Sequence, residues 1–320
     1  MGRFLLRRLV TSIISVLGAT IIIFSLIQLH SDPRELFVPD SGYGISQEAW
    51  DNLGKKLGFD KPLPVQYVVW VGRLLRGDLG VSLSKQRPVL EVLGSRIGAT
   101  IELAIGGWIF AVIVGVPLGV LAAVRRGTVW DYIGRFFAIM GQGAPPFVVG
   151  IILILIFSVW AKDMFFALPA GTRPPSFNIT FYILPSITLG WPAAAGLMRL
   201  TRSAMLEVLD SEFVKMARAK GVDRRSVIWK HALRNSLIPP LTSALIIFSN
   251  WLHGALVVET VFAWPGVGFV ALFESVYNND MPLLLGAVFV YILMFLAFAL
   301  IADILYAVID PRIKLGGKAR

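Results

Sequence analysis

Long uncharged apolar runs alternate with shorter polar stretches along this chain. Leu9 to Leu29 holds 21 residues without a charge. At about 1.5 Å of rise per residue, such a run crosses the hydrocarbon core of a bilayer as a helix. Further runs fall at about Ile97–Val124, Phe136–Trp160, Phe181–Leu200, Ile238–Val258 and Pro282–Ala302. The pattern predicts an all-α polytopic membrane protein with six transmembrane helices. Arg7 and Arg8 precede the first run, as in a signal peptide. The run is longer than a signal core, however, and His30-Ser31-Asp32-Pro33 follows it in place of a small-residue cleavage site. Residues 1–29 therefore read as a retained signal-anchor helix. The third run contains Gly141, Gly143, Pro145 and Pro146, and the fourth contains Pro185 and Pro192. A proline pair removes two backbone donors, so the third span should kink.

Residues 30–96 form a polar insertion with its own helical signals. Ser46 is placed to cap a helix carrying Trp50, Leu53 and Leu57 and ending at Gly58. Pro62 and Pro64 break the chain, and Val65–Arg76 reads as a second short helix with Tyr67 and Trp70. Amphipathic rings of this kind suit a membrane interface. The resulting division is 1–29 anchor, 30–96 external insertion, 97–308 five-helix core and 309–320 cytoplasmic tail, with an internal loop at 203–236.

Composition agrees with this reading. Of 320 residues, 56% are hydrophobic and only 16% are charged, against about 25% charged in a typical soluble protein. The net charge of +10 raises the question of nucleic acid, and position answers it. The N-terminus, the Arg125–Arg135 turn, the Arg199–Arg234 stretch and the C-terminus hold 19 of the 30 Lys and Arg but six of the 20 acids. Basic residues on alternate loops set orientation in the membrane. Both termini and the 203–236 loop are expected in the cytoplasm, and nucleic acid is not expected as a partner.

Catalytic chemistry finds little support. There are three histidines and no cysteine, no metal-binding pair of the HExxH kind, no GxSxG elbow and no phosphate loop of the GxxxxGK[ST] kind. No catalytic or metal residues are expected. The internal loop is more informative. Asp210-Ser211-Glu212 opens a helix with acid in its first turn, Arg218 and Lys220 close it, and Gly221 stops it. Asp223 caps a second helix to about Ser236. Leu206, Leu209, Phe213 and Met216 recur at helical spacing as one apolar stripe. Two capped helices around a glycine turn suggest an element that docks into a partner's groove.

The segments Lys215–Gly221 and His231–Pro239 resemble the EAA loop of ABC importer permeases, in the form found in peptide permeases. Leu57–Tyr67, Arg76–Gly80, Ala99–Ala104, Val258–Gly268 and Asp310–Arg312 are similar to further segments of that family, in order along nearly the whole chain. The series resembles the first permease of a dipeptide or oligopeptide importer. Lys215 replaces a glutamate of the general EAA pattern and Arg234 replaces its proline, as in the peptide subgroup. Ala144-Pro145-Pro146-Phe147 has two prolines where one is expected.

The resemblance implies a non-catalytic subunit in a bacterial or archaeal inner (plasma) membrane. It implies pairing with a second homologous permease, two cytoplasmic ATPases that bind ATP and Mg, and an external substrate-binding protein. This chain itself would bind no cofactor. The implied docking residues are Phe213, Val214, Met216, Ala217, Ala219 and Gly221. Glu102, Pro145, Asn250, His253 and Glu259 are candidates for a translocation path or gate. For these the plainer readings stay open: an interfacial position for Glu102, a kink for Pro145, a hydrogen-bonded helix position for Asn250 and His253, and a loop anchor for Glu259. Asp303 is expected to pair with an arginine. Nickel, glutathione or another small solute is the alternative cargo within the subgroup. A secondary transporter would need internal repeats or ionisable relays across the spans, and neither is visible.

Overall fold

A computed structural model describes residues 2–30, 48, 51–52, 61–164, 167–174 and 176–309. The Ser46–Gly58 helix signals and the Asp310-Pro311-Arg312 ending fall on residues outside these. Among the described residues the structure is helical, with one isolated antiparallel bridge, Val81 to Pro88. The main helices are α1 (Gly2–His30), α2 (Leu63–Leu74), α3 (Val89–Val124), α4 (Val129–Gly143), α5 (Pro146–Ile154, continued by a π-helical turn, Leu155–Trp160) and α6 (Ile179–Leu209). They continue with α7 (Glu212–Ala219), α8 (224–236, with a π-helical turn at Val227–Ala232), α9 (Ile238–Val261), α10 (267–277) and α11 (Met281–Ile309). Three stretches, Val89–Val124, Ile179–Leu209 and Met281–Ala302, are long and apolar enough to cross a membrane. The bent pair α4 and α5 makes a fourth if it is one span.

Several boundaries differ from the apolar pattern. Helix α3 starts at Val89, before the apolar run, and α6 runs on to Leu209, through the start of the basic stretch. Helices continue into water as long as their backbone bonds and tertiary contacts persist, which hydropathy does not record. The third run is not a single kinked helix. Two helices meet there at 109°. A residue before proline is pushed out of the helical region. With two prolines in a row, both Ala144 (ψ 124°) and Pro145 (ψ 139°) become extended.

The described residues form two compact units, one from the stretches up to Gly98 together with 266–296, the other from 99–265 together with 297–309. In the first unit, Phe24 of α1 packs against Tyr67 and Trp70 of α2, with ring centroids 5.6 and 5.4 Å apart. The hydroxyls of Thr20 and Tyr67 are hydrogen-bonded at 3.0 Å. A fully buried Asp280 fastens the 79–88 loop to the start of α11. It accepts from Ser82 Oγ (2.5 Å), Ser84 N (2.9 Å), Ser84 Oγ (2.7 Å) and Leu283 N (3.1 Å). Burial pushes its carboxyl pKa up, but these donors outweigh that and hold it below the usual aspartate range.

The second unit is built around α6, which buries 14 of its 31 residues. Helix α3 lies close against it through small residues. A Cβ on Gly115 would meet the Ala194 carbonyl oxygen at 2.5 Å, and one on Gly119 would meet that of Met198 at 2.6 Å. This four-residue glycine spacing lets backbones approach where lipid supplies no hydrophobic drive. Helix α4 packs on the same helix, with Gly134 against Met198 and Gly141 against Ala195. The apolar core includes Leu103, Leu184, Leu189, Leu197, Phe262 and Trp264.

Candidate functional site: a helix-turn-helix at the end of α6

Helix α6 ends at Leu209 with Asp210 as its C-cap, and Ser211, extended at ψ 152°, turns the chain into α7. The turn splits the stripe expected over Leu206–Met216. Leu206 and Leu209 belong to α6 and pack with Val120, Met205 and Ala232. Phe213 and Met216 lie on α7 and are 43% and 60% exposed. Val214 is fully buried and seats α7 on its own unit. Ala217 is half-buried, and Ala219 and Gly221 are exposed. An eight-residue helix thus keeps one apolar anchor inward and shows two large apolar side chains outward.

The helix end is set locally. Gly221 has φ +77°, Gly221 N donates to the Arg218 carbonyl (3.0 Å) and Val222 N to the Ala217 carbonyl (3.2 Å). This is the Schellman arrangement, which satisfies two of the orphan carbonyls at a helix end. Nothing lies within 4 Å of a Cβ built at Gly221. Glycine is therefore required there by its backbone angle and not by space. The Asp223 carboxylate caps α8 by accepting from Ser226 N at 2.9 Å. Ser236 Oγ donates to Met205 Sδ at 2.8 Å and holds the far end of α8 on α6. Trp229, on the π-helical turn, is 59% exposed.

The path candidates occupy different settings. Glu102, in α3, accepts from Arg173 Nε and Nη2 at 2.8 Å each and from the Tyr182 hydroxyl at 2.9 Å. Both charged side chains remain more than one-third exposed. The hydrogen bonds to Glu102 and Tyr182 push the Arg173 pKa up, so its guanidinium stays charged. Glu259 is fully buried and accepts from Thr100 Oγ1 at 2.7 Å. Beside it Trp264, also fully buried, donates from Nε1 to the Ala99 carbonyl at 2.9 Å and from its backbone N to the Glu259 carbonyl at 2.8 Å. Glu259 thus braces the corner after α9. Pro145 is exposed at the break between α4 and α5. Asn250 and His253 lie in α9, and Asp303 in α11; their side chains are outside the described set.

One constellation escaped sequence reasoning. Asp131, fully buried near the start of α4, accepts from Arg202 Nε (2.7 Å) and Nη2 (3.1 Å), Arg135 Nε (3.2 Å) and Nη2 (2.7 Å), and Gly127 N (3.0 Å). The Asp131–Arg135 spacing of four was a readable signal, whereas Arg202 lies 71 positions away. Among the described residues no group of three or more His, Cys, Asp or Glu side chains is placed to hold a metal ion.

Residues 115–315 match the family described as "Binding-protein-dependent transport system inner membrane component", and residues 1–104 match its N-terminal companion, "Binding-prot-dependent transport system membrane comp, N-term". The dipeptide transport system permease protein DppB of Escherichia coli (strain K12) is 36% identical over 339 residues, spanning 98% of this chain and 99% of that protein. The oligopeptide transport system permease protein AppB of Bacillus subtilis (strain 168) is 35% identical over 326 residues, spanning 98% of this chain and all of that protein. Among solved structures, the MetNI methionine ABC transporter in inward-facing conformations matches with a TM-score of 0.52 at 14% identity, over 69% of this chain and 97% of the matched chain, a likeness of fold. With its core and its N-terminal segment both matched, and relatives aligned end to end, this chain belongs to the family of inner-membrane components of binding-protein-dependent transport systems.

Proposed function

We propose that this chain is one of two permease subunits of an ATP-driven importer of di- or oligopeptides, and that α7 is the element through which cytoplasmic ATPases drive it. The observation that carries the reading is the outward display of Phe213 and Met216 on a short helix seated by Val214 and ended at Gly221. Exposed large apolar side chains on a rigid helix suit a partner's groove. The reading takes six spans, with α1 and α9, of 29 and 24 residues, added to α3, the α4–α5 pair, α6 and α11. Both termini and α7 then lie in the cytoplasm, and the 30–96 insertion lies outside with the substrate-binding protein. A second, homologous permease completes the path. ATP and Mg are bound and hydrolysed on the ATPase subunits, and this chain contributes movement. The Glu102–Arg173 pair and the exposed break at Pro145 are the parts of this chain assigned to the path. Peptide cargo is supported by the names of the relatives.

The test is co-purification with the partner subunits, followed by peptide-stimulated ATPase activity and uptake in liposomes. Met216→Glu places a charge on the displayed face and should release the ATPases. Gly221→Val should leave the complex assembled while ATP hydrolysis no longer drives uptake. Stimulation by nickel or glutathione and not by peptides would reassign the cargo. Uptake by the purified chain alone under an ion gradient would overturn the reading.

A further inference from the structure

We propose that Asp131 is a positioning residue for coupling: it locks α4 to α6, so that movement of α7 reaches the break at Pro145. The inference rests on the reading of α7 as the ATPase contact. Arg202 lies in α6, eight positions before Asp210, about two helical turns from the end that leads into α7. Its guanidinium meets Asp131 through two nitrogens, and Arg135 and Gly127 N fill the rest of the carboxylate. The single carboxylate therefore joins the α3–α4 turn, the first turns of α4 and the lower part of α6. It sits where the helix dipole of α4 favours an anion. Fork-to-carboxylate bonding fixes orientation as well as distance. Farther along, Gly134 and Gly141 of α4 lie against Met198 and Ala195, and a Cβ on Gly141 would meet the Ala195 Cβ at 2.4 Å. With the lock closed, the two helices form one rigid lever. Its α6 end continues into α7 and its α4 end stops at the 109° break. Opening the lock leaves packing along the small residues but frees the cytoplasmic ends to move separately.

The experiment uses the complete transporter with its binding protein in lipid nanodiscs and liposomes. The chain has no cysteine, so the pair Ile133→Cys and Arg199→Cys, both exposed, can carry spin labels on α4 and α6. In the parent chain the label distance should be the same with and without trapped ATP. In Asp131→Asn it should differ between the two states. In the same variant the ATP hydrolysed per peptide imported should rise roughly tenfold, within the usual range of coupling energies, with the ATPases still bound. Should Asp131→Asn fail to assemble, Arg202→Lys, which keeps the charge and loses the fork, is read in the same way. The double variant Asp131→Asn/Arg202→Gln should be no worse than either single, because the two share one interaction. Parent-like stoichiometry in the assembled single variants, or a label distance that changes with ATP in the parent, overturns the proposal. Met216→Glu is the separate control. If it leaves the ATPases bound, the docking reading is at fault, whereas the label distances still report the lock.

Discussion

Asp131 and Glu102 lie in the same compact unit, and each receives an arginine on both carboxylate oxygens. Their surroundings separate them. Asp131 is fully buried and takes five donors from three segments. Glu102 and Arg173 are each more than one-third exposed and share one further donor, Tyr182. A buried ion cannot recover its hydration when a partner is removed, so breaking such a cluster is costly. An exposed pair exchanges its partner for water at little net cost. The first arrangement suits a fixed joint between helices, and the second suits the proposed place of Glu102 on the path, where a contact must open and close.

The strongest way to break this contrast is at Asp131. Asp131→Asn should destabilise the chain by about 3 kcal/mol, mostly because Arg202, the less exposed of the two arginines, is left without its carboxylate, and thermal unfolding in detergent would show it. Asp280 in the other unit extends the contrast to a buried carboxylate held, among the described residues, by uncharged donors. Asp280→Asn should cost about 1.5–3 kcal/mol, the charge assistance lost while the amide oxygen keeps part of the bonding. The same group has a pH signature. Its folded pKa lies below the unfolded value near 3.9. Its contribution is therefore complete above that unfolded pKa and fades as pH falls through the lower folded one. Stability measured against pH should lose this acid limb in Asp280→Asn. Glu102→Gln should have the smallest effect on folding, about 0–1 kcal/mol, while peptide uptake changes more than unfolding does. A loss of stability at Glu102 as large as that at Asp131 would erase the distinction between joint and gate.

Much of the architecture was legible because its causes are local. The acid-first, base-last helix over 212–219 and its glycine stop were readable from seven or eight residues, and the left-handed Gly221 and the Asp223 cap appear as expected. The apolar stripe was misjudged at Asp210–Ser211, where a turn between two helices falls inside a continuous helical spacing. The proline pair foretold a disturbance, but its size depends on two successive extended residues, which only the backbone reveals.

By itself the amino-acid order determined how many apolar runs there are, which loops carry positive charge and where short helices stop, since solvation, charge and backbone angle act over a few neighbouring residues. The packed helices decided the rest. They turned Val214 inward while leaving Phe213 and Met216 outside, buried Glu259 at a corner, and brought Arg202 to Asp131 across 71 positions. Such choices depend on which faces of distant helices meet, and no local pattern encodes them.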